Sequence, residues 1–356
     1  MTVNIWKELV MHAITRRTFL RTFAASGGLA LGIGLAGCGQ GQSATGPTSA
    51  PPSPPPLARL IVKGPSGLPS IPLARLAQDE TLRASVGDID FSTWANPDQL
   101  RADVVAGALH LTATPTNVAA TLYRRGIPLR LLNVTVWGIL HLLSTNPTIE
   151  GWDDLRGQTI AVPLKGDMPD IVFRTLAKAN GLDTERDLTL RYVSSMVEAQ
   201  QLLLAGQVQI AQLGEPAATG AQLQGKQNNV EVRRVLNMQE EWGRATGRPP
   251  RIPMAGTLAV NSLVEQHPEV VIAAQDGLKR AVEWVRQNPE EAGQLGEQYL
   301  GGLKAPVIAR ALPNVPLEFV TAADARPELE FFFTRLKALS PDLIGGDLPD
   351  AEFYYP

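Results

Sequence analysis

Three loops of the sequence place hydrogen-bond donors where a predicted strand gives way to a helix: residues 66–70, 114–117 and 165–167. The first turn of a helix exposes unpaired N–H groups and carries a partial positive charge, so each loop favours an anion without a formal cation. Lys165 adds the one cation of these loops and suits a sulfonate, nitrate, carboxylate or phosphate. The pattern predicts a site for a small anion, with the candidate contacts Ser66, Thr114, Thr116, Asn117 and Lys165.

Several of the candidate residues have a purely structural interpretation as well. Lys165 is equally explained as a solvated loop lysine, and Asp167 is expected to cap its helix rather than to bind a ligand. Glu215 lies between a strand and a helix that starts with proline, so it either contacts a cationic or hydroxylated part of a ligand or faces the dipole of that helix. Trp94 is a candidate wall for a flat or apolar ligand, or a core residue.

The composition argues against other kinds of site. The chain has 356 residues, one cysteine and four histidines without ligand spacing, so neither a metal nor another cofactor is expected. Without a placed nucleophile or base, the chain is not expected to be an enzyme. A net charge of −3, from 32 basic and 35 acidic residues, makes nucleic acid an unsuitable partner.

The first forty residues have the features of an export signal. Arg16 and Arg17 precede Phe-Leu and resemble the twin-arginine signal, and a weakly apolar run follows from 22 to 37. The run ends in Leu-Ala-Gly before Cys38, which resembles a lipobox in which the cysteine takes the lipid. We therefore predict a twin-arginine lipoprotein signal peptide over 1–37, with Met11 as an alternative start.

Residues 38–57 follow as an uncharged stretch rich in Pro, Ser and Gly, which predicts a solvated tether between a lipid anchor and a folded body. The alternative is an amphipathic first helix with Cys38 buried, but a helix of that kind would not be followed by a tether with nothing to bury. The sequence predicts an extracytoplasmic, lipid-anchored protein, and it leaves open whether the host has one membrane or two.

From residue 58 onward, short apolar runs alternate with helical patterns, which is typical of an α/β fold. A long apolar run over 129–144 contains Gly138, where a strand would bend as the chain leaves one domain for the next. After the polar stretch 239–253, which contains Gly and Pro, the strand 255–261 is expected to return to the first domain. We predict two α/β lobes joined by two crossings: lobe 1 from 58–143 and 255–356, and lobe 2 from 144–254.

Local signals add detail to this arrangement. One helix is predicted over 71–82, and Thr114 or Thr116 is expected to cap the helix that runs to Arg125. Ligands of two-lobed α/β proteins bind between the lobes, at the carboxyl ends of strands and the amino ends of helices. The candidate contacts fall at such positions.

A series of short motifs resembles one family. They are LHLTATPTN at 109–117, WDDLRGQTIAV at 152–162, LAGQVQIA at 204–211, Gly-Glu-Pro at 214–216 and NPEEA at 288–292. In order and spacing they resemble an extracytoplasmic solute-binding protein of an ABC importer, in the nitrate, sulfonate and taurine binding group that also includes riboflavin and thiamine-precursor binders. The resemblance spans residues 58–300.

The resemblance implies a bilobal fold of the type II periplasmic-binding-protein kind, a small-molecule ligand, permease and ATPase partners, and a monomer. A small anionic solute is the expected ligand, and a heteroaromatic vitamin precursor is the alternative. The resemblance is also compatible with a tethered sensor domain or, less favoured, with an enzyme on the same fold. Such proteins often have Asp where this chain has Leu109-His110-Leu111 and Val208-Gln209-Ile210, so the identity of the solute does not carry over.

Overall fold

The structure is a computed structural model that describes residues 56–356. The predicted signal peptide and most of the predicted tether, including Arg16, Arg17 and Cys38, lie outside the described residues. Each helix of the described part is too short or too polar to cross a bilayer.

Eleven strands and thirteen α-helices build the described part of the chain. The strands are β1 Leu60–Pro65, β2 Ile89–Trp94, β3 Leu111–Pro115, β4 Leu129–Val136, β5 Leu140–Ser144, β6 Thr159–Pro163, β7 Thr189–Val193, β8 Ile210–Gly214, β9 Arg233–Asn237, β10 Ala255–Val260 and β11 Leu317–Thr321. The helices are α1 Ile71–Leu76, α2 Glu80–Ser85, α3 Pro97–Val105, α4 Thr116–Arg124, α5 Met168–Ala179, α6 Met196–Leu204, α7 Ala217–Gln227, α8 Met238–Thr246, α9 Asn261–Gln266, α10 Pro268–Gln287, α11 Pro289–Tyr299, α12 Ala305–Ala311 and α13 Ala322–Leu339.

The strands form two mixed sheets, each with helices packed against it. The first sheet has the order β11-β4-β10-β3-β1-β2, and the second has the order β7-β6-β8-β5-β9. Within the first sheet β1 runs parallel to β2 and β3, and β10 runs antiparallel between β3 and β4. The predicted α/β fold class is confirmed, and β10 enters the first sheet as the strand that returns from the second.

One predicted helix is divided in the structure, and two elements were not predicted. The stretch 239–253 contains α8, because the side chain of Asn237 accepts hydrogen bonds from the N–H groups of Gln239 and Glu240 and so caps a helix. The helix predicted over 71–82 is two helices, because Asp79 caps α2 by accepting from the N–H of Leu82. The edge strand β11 was not predicted at all.

The two crossings between the sheets lie side by side. Since β5 belongs to the second sheet, the first crossing passes through residues 137–139, a few residues before the boundary expected at 143. The N–H of Ile252 donates to the carbonyl of Trp137 at 2.8 Å, and the N–H of Met254 donates to that of Val136 at 3.0 Å. The two crossings are therefore joined to each other by backbone hydrogen bonds.

Gly138 and Gln239 fix the first crossing. Gly138 has a φ of +147°, and a Cβ there would lie 1.9 Å from Cγ of Gln239. The Gln239 side chain accepts a hydrogen bond from the N–H of Leu140 at 3.0 Å, so it cannot move away freely. Only glycine fits both the backbone angle and the space.

Behind the crossings, α13 of the first lobe packs against α8 of the second. The Trp242 ring lies 5.7 Å from that of Phe332 and 6.2 Å from that of Phe331, between centroids, with the rings nearly perpendicular. Arg251 stacks over the Trp137 ring at 4.0 Å and pairs with Glu328 on α13. An aromatic and an ionic contact thus join the two lobes next to the second crossing.

The first crossing leads to a stability prediction. Replacing Gly138 with alanine should lower the free energy of unfolding by about 3 kcal/mol, because the new Cβ displaces Gln239 and strains the backbone. Urea unfolding measures this change. Gly166→Ala is the matched control: Gly166 also has a positive φ but no atom lies within 4 Å of its Cβ position, so its cost should be about 1 kcal/mol. Equal costs for the two variants would contradict the role assigned to Gln239.

Candidate functional site

A cavity of about 470 Å³ lies between the two lobes. It is lined by the loop after β1, the residues that lead into α12, and the starts of α6 and α7. Most of its lining is apolar or amide-bearing: Ser66, Gly302, Leu303, Lys304 and Val307 from the first lobe, and Met196, Val197, Gln200, Gln201, Gly214, Glu215, Pro216, Ala217, Gly220 and Gln224 from the second. Both lobes therefore contribute to one cavity, and of the candidate contacts Ser66 and Glu215 line it.

The start of α4 holds three of the candidate residues. Thr116 does not cap the helix, contrary to the expectation: its hydroxyl donates to the carbonyl of Pro253 at 2.6 Å, and its N–H donates to that of Met254 at 3.0 Å. The residue at the N-cap position is Pro115, which has no side-chain oxygen, and Thr114 does not replace it. Thr116 instead ties α4 to the second crossing.

Thr114 and Asn117 are buried at the same helix start. Within the described residues, neither Thr114 Oγ1 nor Asn117 Oδ1 has a hydrogen-bond partner, although the side chains are 0% and 4% exposed. Leaving a buried polar atom unsatisfied costs about 1–3 kcal/mol, so such atoms mark a place for a ligand or a water molecule. An uncapped helix start offers its N–H groups to an anionic ligand group, and the Thr114 hydroxyl and the NH2 of the Asn117 side chain are further donors there, whereas Asn117 Oδ1 can only accept.

Three other candidates lie in different surroundings. Trp94 is 5% exposed, and its Nε1 donates to Thr112 Oγ1 at 3.0 Å, so it packs in the core of the first lobe. Lys165 is exposed and lies 4.8 Å above the ring of Tyr192, outside the cavity lining. Asp167 accepts from the N–H of Met168 at 2.7 Å and caps α5, as expected.

Glu215 is enclosed in a cluster of donors within the second lobe. Its side chain is 0% exposed, its Oε1 pairs with the guanidinium of Arg234, and its Oε2 accepts from the N–H of Thr219 at 3.1 Å in the first turn of α7. Arg234 also donates to Thr219 Oγ1 at 2.9 Å. Burial raises the pKa of Glu215, partly offset by Arg234 and Thr219. Of the two interpretations of Glu215, the structure places it against the helix dipole, with both oxygens already bonded.

His141 faces the same carboxylate and was missed by the sequence reasoning. Its Nε2 lies 3.8 Å from Glu215 Oε1, it is 2% exposed, and neither ring nitrogen has a hydrogen-bond partner within residues 56–356. Burial, reinforced by the nearby Arg234 guanidinium, lowers the pKa of His141 to about 4. The only signal in the sequence was a single histidine inside an apolar strand, which is equally typical of a core residue.

Across residues 56–356, no three His, Cys, Asp or Glu side chains are grouped so that they could hold a metal ion. The cavity walls offer amides, the Ser66 hydroxyl, backbone N–H groups, apolar surface and the ion-paired side chains of Glu215 and Lys304. These groups suit reversible binding of a small molecule.

The buried histidine makes stability depend on pH. Between about pH 6.5 and pH 4, His141 is protonated in the unfolded state but stays neutral in the folded state. The free energy of unfolding therefore falls as the pH decreases through this range. We expect the wild type to lose about 2 kcal/mol more than His141→Gln between pH 7 and pH 5, measured by urea unfolding. His110, whose pKa is also lowered by burial, is present in both proteins, so the comparison isolates His141. Parallel pH profiles would show that folded His141 titrates normally.

Solved structures share this architecture at low sequence identity. An ABC transporter protein from Parabacteroides distasonis has a TM-score of 0.70 at 20% identity, over 85% of this chain and 99% of the other. The periplasmic aliphatic sulphonate binding protein SsuA from Escherichia coli has a TM-score of 0.63 at 19% identity, over 83% and 95%. The periplasmic nitrate-binding protein NrtA from Synechocystis has a TM-score of 0.57 at 15% identity, over 82% and 85%. These similarities confirm the predicted periplasmic-binding-protein-like fold.

No curated protein is similar enough in sequence to count as a relative. The family model described as NMT1/THI5 like matches residues 88–292, which is more than half of the chain. The matched segment runs from just before β2 into α11, so it includes the whole second sheet, both crossings and the start of α4. The chain therefore belongs to the NMT1/THI5-like family.

Proposed function

We propose that this protein is the extracytoplasmic solute-binding component of an ABC importer, which captures a small solute between its lobes and delivers it to a membrane permease with an ATPase partner. The observation that carries the proposal is the cavity lined by both lobes beside two adjacent crossings. A ligand that contacts both lobes binds the closed arrangement more tightly than the open one and shifts the population toward it. The sulphonate- and nitrate-binding proteins that share the fold support the same role.

We propose an organic anion as the solute. The uncapped start of α4, with the Thr114 hydroxyl and the NH2 of the Asn117 side chain as donors, supports an anionic end. The apolar cavity lining from Met196, Leu303 and Val307 supports an apolar remainder, which a bare nitrate ion lacks. A sulfonate with an alkyl chain matches the chemistry of both regions, although the residues at the start of α4 do not themselves line the cavity. The same apolar lining also favours the alternative, a heteroaromatic vitamin precursor.

The proposed role involves binding without turnover, by a monomer. Among the described residues, the cavity lining offers hydrogen bonds but no paired nucleophile and base, in keeping with a receptor rather than an enzyme. A tethered sensor would use the same cleft. Reconstitution with the permease and ATPase distinguishes the two, because only a transport component stimulates ATP hydrolysis and solute uptake.

A ligand screen with a site variant tests the capture of the solute. Alkanesulfonates, taurine, nitrate, bicarbonate, riboflavin and pyrimidine precursors are compared by thermal unfolding, where a ligand at 100 times its Kd stabilises by about 2.7 kcal/mol and raises the midpoint by several degrees. Asn117→Ala should weaken binding of the hit about tenfold, because one hydrogen bond to a charged group is lost. The affinity of Lys165→Ala for the same hit tests whether the exposed ammonium group of Lys165 contributes to anion binding.

Asn228→Ala is the matched control, since Asn228 is exposed at the far end of α7. A panel without any hit would argue against the capture of these solute classes. Unchanged affinity in Asn117→Ala would remove the start of α4 from the site.

A second prediction concerns the proposed lipid anchor. Cys38→Ser should abolish incorporation of labelled fatty acid and move the protein from the membrane fraction to the soluble fraction, because the serine hydroxyl cannot replace the lipidated thiol. The pair Arg16→Lys and Arg17→Lys keeps the charge and tests the export motif separately: export should stop while the chain still folds. A Cys38→Ser protein that stays lipid-labelled and membrane-bound would disprove the anchoring.

A further inference from the structure

At the starts of α5, α6 and α7 in the second lobe, carboxylates of the protein itself accept hydrogen bonds from backbone N–H groups. Asp167 caps α5, and Asp170 accepts from the N–H of Gly166 at 2.8 Å. Glu198 in the first turn of α6 accepts from the N–H of Ser194 at 2.8 Å. Glu215 fills the start of α7. By contrast, α4 in the first lobe has no acidic residue in its first turn and no side-chain cap.

Glu215 differs from the other acids because it is both buried and paired with an arginine, in a pocket built of donors. Arg234 and the first turn of α7 bond its two oxygens. His141 adds a ring nitrogen that is buried, unpartnered and 3.8 Å from the same carboxylate, and Arg234 Nε is also buried without a partner among the described residues. The pocket therefore contains more donors than one carboxylate satisfies, which is the composition of an anion-binding site.

This pocket adjoins the proposed solute site. Glu215, Pro216 and Ala217 line the cavity between the lobes, so the carboxylate lies directly behind the cavity wall. Lys304, the cationic residue of that lining, is paired with Glu297 at 3.1 Å. An anion that approached the second lobe would find the Arg234 guanidinium already neutralised by Glu215 and the Thr219 N–H already bonded to it, so these donors are not available to the anion.

We propose that Glu215 is a built-in occupant of an anion pocket in the second lobe, formed by Arg234, His141 and the start of α7, and that it determines the specificity of the cleft. The inference rests on the proposed function and deepens it. The anionic end of the solute is bound by the first lobe at α4, and the second lobe closes on the uncharged remainder. Small inorganic anions are rejected because they offer the second lobe nothing except charge.

Chemical rescue tests the occupied pocket. Glu215→Ala removes the carboxylate and leaves Arg234, His141 and the Thr219 N–H around a space that formate or nitrate can fill. The variant should be less stable than the wild type. Millimolar sodium formate or nitrate should raise its thermal midpoint by several degrees, and this increase should saturate with concentration. Sodium chloride at the same concentration is the reference. The wild type should show no such shift.

Two variants serve as controls. Glu215→Gln keeps the volume filled without the charge, so formate should not stabilise it. Glu215→Ala combined with Arg234→Ala removes the cation, so rescue should disappear. A folded Glu215→Ala protein that no small anion stabilises would overturn the inference, as would equal rescue of the double variant.

A binding measurement on the wild type tests the inference even if the variants do not fold. Saturable binding of nitrate or sulfate by the wild type, measured by isothermal titration calorimetry, would overturn the inference, whereas binding of hexanesulfonate without nitrate or sulfate is the expected result. If the wild type binds no solute of the panel, the proposed capture of these solutes fails, while rescue of Glu215→Ala by formate still shows whether the pocket is an anion site. The two failures are therefore distinguishable.

Discussion

The backbone hydrogen bonds between the two crossings hold the architecture together. Val136 and Trp137 on one crossing accept from Met254 and Ile252 on the other, so the two connections form a single narrow ribbon between the sheets. Gly138 lets the chain turn at this ribbon, and the Gln239 side chain fills the space that a larger residue would need. The lobes also contact each other through α13 against Trp242 of α8 and through α12 against α7.

The same ribbon carries the cleft residues into position. Thr116 donates to the carbonyls of Pro253 and Met254, so the start of α4 is fixed relative to the second crossing. On the other side, the N–H of Glu215 donates to the carbonyl of Ile139 at 2.9 Å, so the start of α7 is fixed relative to the first crossing. The first lobe thus presents an open helix start, and the second presents a helix start with its own carboxylate.

The sequence predicted the parts of the fold that depend on local pattern. Apolar runs ended by glycine or proline located most strands, and Gly138 marked the first crossing. The helix α8 was missed because Gly243 and the Gly and Pro residues that follow it obscure a run of otherwise good helix formers, and its stability also comes from the Asn237 cap and from Trp242 packing against α13. Such packing joins residues about ninety positions apart, which no local pattern encodes.

The site was harder to predict for the same reason. Loops that open helices were recognised, but the pairing of Glu215 with Arg234 depends on β9 lying beside β5, and the position of His141 depends on which face of β5 it occupies. Both facts come from sheet order and register. From the sequence alone, two interpretations of Glu215 stayed open and no role could be assigned to His141.

The aromatic contact between the lobes has a mechanical consequence for the cleft. Trp242 on one lobe is held between Phe331 and Phe332 on a helix of the other, close behind the two crossings. This contact attaches the lobes to each other a second time, besides the ribbon of the two crossings. Any rotation of one lobe against the other must therefore move these rings over one another as well as change backbone angles in the ribbon.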